Sequence, residues 1–278
     1  MTNVFESIVT KIAVRAQKLD GDYYKNGLLY CGKCNTPKET KIKFDGIANE
    51  KIVRIACKCV SDEEDRNREQ EKINKRRESI NESLRGLIDI GVARMPKCTF
   101  DMCDNENAEL RERMKKYAKN FDTIYDKNIG LLLFGGTGTG KTFFAECIAS
   151  ELLKNGRFAL LTSVSDIVNA MNNYNAQVMN YVKNVDLLIL DDFGTERDTS
   201  YMSENIYNVI DARYVAKRPL IVTTNLDPRA MLANTNIRIK RIGERLAESC
   251  VSIEVKGTSR RANVAKNKLA QLKDILGE

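Results

Sequence analysis

The octet Gly135-Gly136-Thr137-Gly138-Thr139-Gly140-Lys141-Thr142 constrains this chain more than any other stretch. An apolar run at 129–134 leads into it, and residues 143–153 read as a helix leading out. The octet fits G-x-x-x-x-G-K-[ST], the phosphate-binding loop of nucleotide hydrolases. Its glycines let backbone N–H groups turn inward and approach phosphate oxygens that a side chain would block. Lys141 supplies a point charge for the β- and γ-phosphates of ATP, and the Thr142 hydroxyl is a ligand for Mg²⁺. The helix that follows offers its N-terminus to an anion. Strand, loop and helix in register separate this signal from an ordinary Gly/Thr-rich turn.

The rest of the C-terminal two thirds continues the alternation. Strands are expected at 158–162, 185–190, 219–224 and 251–255, and helices at 164–184 (interrupted near Asn172 and Asn173), 201–215 and 237–248. Five short strands alternating with helices predict a parallel α/β sheet covered on both faces. The third strand ends in Asp191-Asp192. Ligands of such sheets gather beyond the carboxyl ends of the strands, which puts these acids beside Lys141 and Thr142. Asp191 is expected to hold Mg²⁺ through water, and Asp192 to orient and polarise the attacking water. Glutamate is commoner at that second position; the shorter aspartate predicts slow hydrolysis suited to a timer or switch. Asn225, at the end of the next strand, is a candidate polar sensor of the γ-phosphate. Arg238, Arg241 and Arg245 share one helical face, from which an arginine could reach a neighbour's ATP.

The N-terminal third has a different chemistry. The chain contains no histidine, so a metal site must be built from Cys, Asp or Glu. Cys31 and Cys34 form a C-x₂-C pair, and Cys57 and Cys59 a C-x-C pair 22 residues later. Two close thiolate pairs supply the four sulfurs of a tetrahedral structural Zn²⁺ site. The intervening segments 41–44 and 51–55 alternate like a small hairpin, and a metal gives so small and polar a module a reason to fold. Cys98, Cys103, Cys147 and Cys250 are unclustered and are expected to pack as small apolar residues. Residues 3–19 read as an amphipathic helix with Asn3 and Glu6 at capping-box spacing, ended by Asp20-Gly21-Asp22. Ser61 is expected to cap a long charged helix reaching about residue 90, docked through Ile73, Ile80, Leu84 and Leu87. Met95, Pro96 and Phe100 then form an extended entry, and 107–121 a further helix.

The expected organisation is therefore an N-terminal zinc module at 1–60, a charged helical linker at 61–95 and a nucleotide-binding domain at 96–278. No apolar run approaches the roughly 18 residues of a membrane span, and the first residues lack a secretory pattern, so a cytoplasmic protein without membrane partners is expected. Residues 217–278 carry thirteen basic and six acidic side chains, which accounts for the whole formal charge of +7. A basic end of this kind meets phosphates of a nucleotide or a nucleic acid.

Taken together, 135–142, 187–192, 223–225 and the run Arg241-Ile242-Gly243-Glu244-Arg245-Leu246 resemble the AAA+ ATPases of the initiator and helicase-loader branch. Within it, the segments at 29–34 and 190–195 and the ending 257–261 resemble the DnaC/DnaI-type loaders, to which IstB-like ATP-binding proteins are related. The resemblance covers nearly the whole chain. It implies an AAA+ parallel sheet with a reduced lid, since only about twenty residues follow the last strand, preceded by a small zinc-binding α+β module. It implies further that the N-terminal module binds a replicative hexameric helicase, and that the ATPase domain self-assembles and grips single-stranded DNA. Arg245, with Arg241 second, is implied as the finger acting in trans, and Arg260 or Arg261 as a second sensor. The segment 163–184 would hold inserted helices facing DNA, although Lys183 is its only basic residue. Competing readings are an IstB-type transposition helper, a nucleotide-bound adaptor without significant hydrolysis, and a zinc-dependent DNA-binding regulator, which leaves the phosphate loop without a purpose.

Overall fold

The computed structural model of the chain describes residues 14–43, 50–103, 107–194 and 200–260, together with 268, 271, 272, 275 and 276. The chain divides into two compact units, Met1–Asn74 and Lys75–Glu278.

In the first unit, β1 (Tyr23–Lys25) pairs antiparallel with β2 (Leu28–Tyr30), and β3 (Glu39–Ile42) with β4 (Lys51–Arg54). The second hairpin is the one expected from alternation. The first is closed by Asn26 and Gly27, both at positive φ (51° and 76°), the conformation that a two-residue type I′ turn requires. Capping of a helix by Asn3 and Glu6 lies outside the described residues. Residues 14–19 are not helical, contrary to expectation. Their backbone is committed to distant partners instead: Val14 O accepts from Arg54 N–H at 3.0 Å, Ala16 N–H donates to Glu39 at 3.1 Å, and Leu19 N–H donates to Asp22 at 2.9 Å. Leu19 is left exposed. The long charged helix, α1 (Lys58–Asp89), begins before Ser61. Ser61 therefore lies inside the first turn, donating its N–H to Cys57 O at 2.9 Å, and does not cap it.

The second unit holds a parallel sheet in the order β6-β7-β8-β5-β9. Its strands are β5 (Gly130–Phe134), β6 (Ala159–Ser163), β7 (Leu187–Phe193), β8 (Leu220–Thr224) and β9 (Cys250–Glu254). β7 runs past the expected end to include both aspartates. The helices are α2 (Ala108–Lys119), α3 (Phe121–Asp126), α4 (Lys141–Lys154), α5 (Val164–Asn184), α6 (Ser200–Val215), α7 (Pro228–Leu232) and α8 (Ile237–Ser249). The helix expected over 107–121 is broken at Asn120, whose ψ of 26° departs from helical geometry. The interruption of α5 expected near Asn172 and Asn173 falls at the next residue, Tyr174 (φ −130°). The short α7 was not anticipated; Pro228 opens it, and the Asp227 carboxylate accepts from Arg229 N–H at 2.8 Å.

Alternate side chains serve opposite faces of the sheet, so the strands are apolar throughout. Leu132, Leu160, Leu188 and Val222 pack with Ile80, Leu84 and Leu87 of α1 and with α5, α6 and α8. Leu131, Leu133, Leu161 and Ile189 pack with α2 and α4. Cys103, Cys147 and Cys250 are buried as expected, while Cys98 is half-buried. Desolvation pushes the Cys250 thiol up to about 12, which keeps it unreactive.

Arg213 of α6 is 1 % exposed. Its guanidinium donates to Val182 O and Val185 O, both at 2.9 Å, to Asp186 O at 3.3 Å, and to Pro219 O. One side chain thus ties the end of α5 to the starts of β7 and β8. Each buried carbonyl left without a donor costs about 1–3 kcal/mol, so Arg213→Ala is expected to destabilise the chain by at least about 3 kcal/mol in urea denaturation.

Candidate functional site

The phosphate loop joins β5 to α4. Gly140, immediately before α4, has φ 104°, and Gly138 has φ 81°, both in the region that favours glycine. These two positions turn the loop backbone so that α4 starts at Lys141. The Lys141 side chain is buried, and its ammonium donates to Gly135 O at 3.0 Å, Gly136 O at 2.7 Å and Asn225 Oδ1 at 2.7 Å. Thr139 Oγ1 closes the loop on itself by donating to Gly136 O at 3.0 Å.

The β7 aspartates have divergent surroundings. Asp191 is buried, and its Oδ1 accepts from Thr142 Oγ1 at 2.8 Å and from Thr223 Oγ1 at 2.7 Å. Its Oδ2 accepts from the Arg94 guanidinium at 2.9 Å. Asp192 is exposed, at φ 58°, and its N–H donates to Thr223 Oγ1 at 2.9 Å. The register between β7 and β8 shifts between Leu190 and Phe193. Successive side chains of a strand point to opposite faces, so one carboxylate turns inward and the next toward solvent.

A cavity of about 220 Å³ opens at this end of the sheet, bounded by Gly138, Lys141, Thr142, Asp192, Asn225 and Arg260 among others. Six residues that sequence reasoning assigned to one site therefore do converge: Lys141, Thr142, Asp191, Asp192, Asn225 and Arg260. The last of these donates its N–H to Gly138 O at 3.1 Å, with its guanidinium 5.8 Å from the Phe143 ring. Arg261 lies outside the described residues. Arg241 and Arg245 do not line this cavity. They sit on α8, Arg241 over the Tyr207 ring at 5.1 Å and Arg245 over Tyr214 at 4.2 Å, with Arg245 also paired to Asp211 at 3.1 Å.

Arg94 is the participant that sequence reasoning missed. The entry segment brings its N–H to Leu161 O of β6 at 2.9 Å, and its side chain then reaches Asp191 from 97 residues away in sequence. No local pattern marks it.

In the first unit, Cys31, Cys34, Cys57 and Cys59 come together, with all four sulfurs within 4.8 Å of one another. Cys31 and Cys59 Sγ are 3.7 Å apart, and Cys57 and Cys59 Sγ are 3.4 Å apart. Zinc–sulfur bonds of about 2.3 Å in a tetrahedron put sulfurs about 3.8 Å apart, so this donor set fits Zn²⁺. The electrostatics agree. The Thr36 hydroxyl, 3.1 Å from Cys34 Sγ, and the Cys59 N–H hold the Cys34 thiol down to about 5. Hydrogen bonds to Cys57 and its neighbours push Cys59 up to about 12. Such opposition among crowded thiols is relieved by a divalent cation. Gly32 is obligatory in the first pair, because a Cβ there would lie 2.1 Å from Gly21 O.

A protein-family model described as IstB-like ATP binding protein matches residues 68–268. The chain belongs to that family. ATP binding is accordingly a property of the family to which the chain belongs. Over 161 residues the chain is 31% identical to the replicative helicase loader DnaC of Escherichia coli (strain K12), covering 54% of this chain and 62% of that protein. Over 126 residues it is 33% identical to the DnaC loader of Buchnera aphidicola subsp. Baizongia pistaciae (strain Bp), covering 42% and 50%. The chain thus spans less than two thirds of the length of these relatives. A crystal structure of DnaI superimposes with a TM-score of 0.50 at 24% identity, covering 60% of this chain and 92% of that one. One of the DnaC helicase loader does so with a TM-score of 0.50 at 21% identity, covering 57% and 97%. The likeness shows that the second unit shares the fold of these two structures.

Two expectations follow from this geometry. Partners behind a metal-binding carboxylate are typically worth about 10- to 100-fold in metal affinity. Arg94→Ala should therefore raise the Mg²⁺ concentration needed for tight binding of a fluorescent ATP analogue about tenfold, read by magnesium titration. Cys34→Ser should lose bound zinc in elemental analysis while ATP binding is unchanged.

Proposed function

We propose that the chain is an ATP-dependent loader of a replicative hexameric DNA helicase onto single-stranded DNA, with hydrolysis as its timer. The observation that carries this reading is the convergence of Lys141, Thr142 and Asn225 on one cavity, with Asp191 bonded to Thr142 behind it, in a chain whose curated relatives are named replicative helicase loaders. A separate four-cysteine module, read here as a structural zinc centre, favours a loader over a transposition helper.

The residues divide the work by position. Lys141, which donates to Asn225 and to two loop carbonyls, supplies the positive charge for the β- and γ-phosphates of ATP. Asn225 then exchanges the lysine for the γ-phosphate or the attacking water, which makes it a sensor of hydrolysis. Thr142 and Asp191 hold Mg²⁺, which when bound neutralises charge developing on the phosphate oxygens. Asp192, on the exposed side of the strand, orients the water. Arg260 adds positive charge at the loop. Across a subunit boundary, Arg245, with Arg241 second, stabilises the transferring phosphoryl group of a neighbour. Stacking on Tyr214 and pairing with Asp211 restrict the Arg245 guanidinium before assembly, which lowers the entropy lost on docking.

Transposition helper remains the second reading, favoured by the description of the family model. Co-purification with a replicative helicase, lost when residues 1–60 are deleted, is the result expected of a loader. Retained binding after the deletion would move the partner site, and no binding by the intact chain would reject the proposal. Asp192→Asn should leave ATP affinity nearly intact and abolish turnover, whereas Lys141→Ala should lose both. Undiminished turnover in Asp192→Asn would remove that carboxylate from the mechanism, and a parent chain with no turnover would point to an adaptor.

A further inference from the structure

The cysteine module presents a surface that neither the nucleotide site nor the metal centre uses. In β1 and β2, Tyr23 lies directly opposite Tyr30. Their rings stack at 5.7 Å between centroids with 22° between planes. The Lys25 ammonium stands 6.0 Å from the Tyr30 ring. Tyr24 projects from the opposite face of β1, with the Lys18 ammonium 5.8 Å from its ring. Tyr23 is 39% exposed and Tyr24 54%, whereas Leu29, directly opposite Tyr24 on β2, is fully buried. The hairpin therefore closes its small core on leucine and leaves its aromatic rings at the surface.

The charge around these rings is net positive. Residues 14–60 contain ten lysines and arginines against five acids. Two of those acids are buried and committed internally. Asp22 accepts from Lys38 at 2.6 Å, from Leu19 N–H and from Gly32 N–H, and Glu39 accepts from Ala16 N–H and Leu29 N–H. Lys18, Lys25 and Lys33 are exposed. Even with two negative charges on a four-thiolate zinc centre, the balance stays positive.

Exposed rings with cations beside them on a basic surface match the chemistry of unpaired bases. Bases stack on flat aromatic faces while ammonium groups meet the phosphates. An acidic peptide would engage the lysines and leave the ring faces unused. We propose that single-stranded nucleic acid wraps the outer edge of β1 in this two-stranded hairpin, meeting Tyr23 on one face and Tyr24 on the other, with Lys18 and Lys25 on the phosphates. This contact is separate from any made by the ATPase core, and it goes beyond the loader reading without resting on it.

The test uses the full chain with zinc and without nucleotide, and fluorescein-labelled oligo(dT) and oligo(U) as probes in anisotropy titrations. Replacing both rings, Tyr23→Ala with Tyr24→Ala, should weaken binding about tenfold, and Tyr23→Phe with Tyr24→Phe should restore it. Lys18→Gln with Lys25→Gln should make the slope of log affinity against log salt shallower by about 1.4. Unchanged zinc content in every variant shows that the module is still folded. Photo-crosslinking with bromodeoxyuridine in the oligonucleotide should place adducts on β1. Whichever probe binds more tightly tells whether DNA or RNA is the natural partner. Parental affinity in the alanine variant, or adducts confined to residues 96–278, overturns the proposal. So does an alanine variant that loses a helicase but keeps the oligonucleotide, since the surface would then be a protein dock. ATP turnover and helicase co-purification by the intact chain are read independently, so failure here leaves the loader reading standing.

Discussion

One buried carboxylate holds the nucleotide end of this fold together. Asp191 accepts from the first turn of α4 through Thr142, from β8 through Thr223, and from the entry segment through Arg94. An ionised group at that depth is tolerable only if it is surrounded by donors, because burying a charge without partners costs several kcal/mol. Those donors come from three parts of the chain far apart in sequence, so the acid is satisfied only once the sheet has assembled. Folding of the core and preparation of the phosphate site are therefore one event.

Lys141 stands in a complementary position. Its ammonium is buried against two loop carbonyls and the Asn225 side chain. The cation is held where a terminal phosphate would need it, and the residue that shares its proton donors sits at the end of β8. A change in what Lys141 binds is in this way a change in what Asn225 is free to bind. The two units treat charge differently: the second pairs its buried Asp191 with Arg94 and gives Lys141 neutral acceptors, whereas the cysteine module gathers four sulfurs that a cation would hold together.

Much of this was legible from the sequence, for reasons that particular residues make plain. The five strands of the sheet and the loop at 135–142 announce themselves through contiguous apolar runs and glycines, which are local signals. The Asn26-Gly27 turn was equally local and marks the β1–β2 hairpin, yet an apparent helical spacing over residues 3–19 obscured the start of the module. The periodicity of that segment competes with backbone pairing to Arg54 and Glu39, and pairing between distant residues leaves no trace in spacing. Arg94 and Arg213 were illegible for the same reason. One reaches an acid 97 residues on, the other gathers carbonyls from the end of one helix and the start of two strands, and a lone arginine looks alike in both settings.

The hydrogen bond from Arg94 N–H to Leu161 O has a consequence for solubility. β6 is an outermost strand of the sheet, and a bare outer strand is a template on which another chain can add. By laying the approach to the domain along that border, the chain covers part of it with its own backbone, and the same stretch of polypeptide carries the arginine that satisfies Asp191. A fragment trimmed to begin after Arg94 would lose that cover together with Ile80, Leu84 and Leu87, leaving apolar surface and an unsealed strand side by side. Its tendency would be to aggregate.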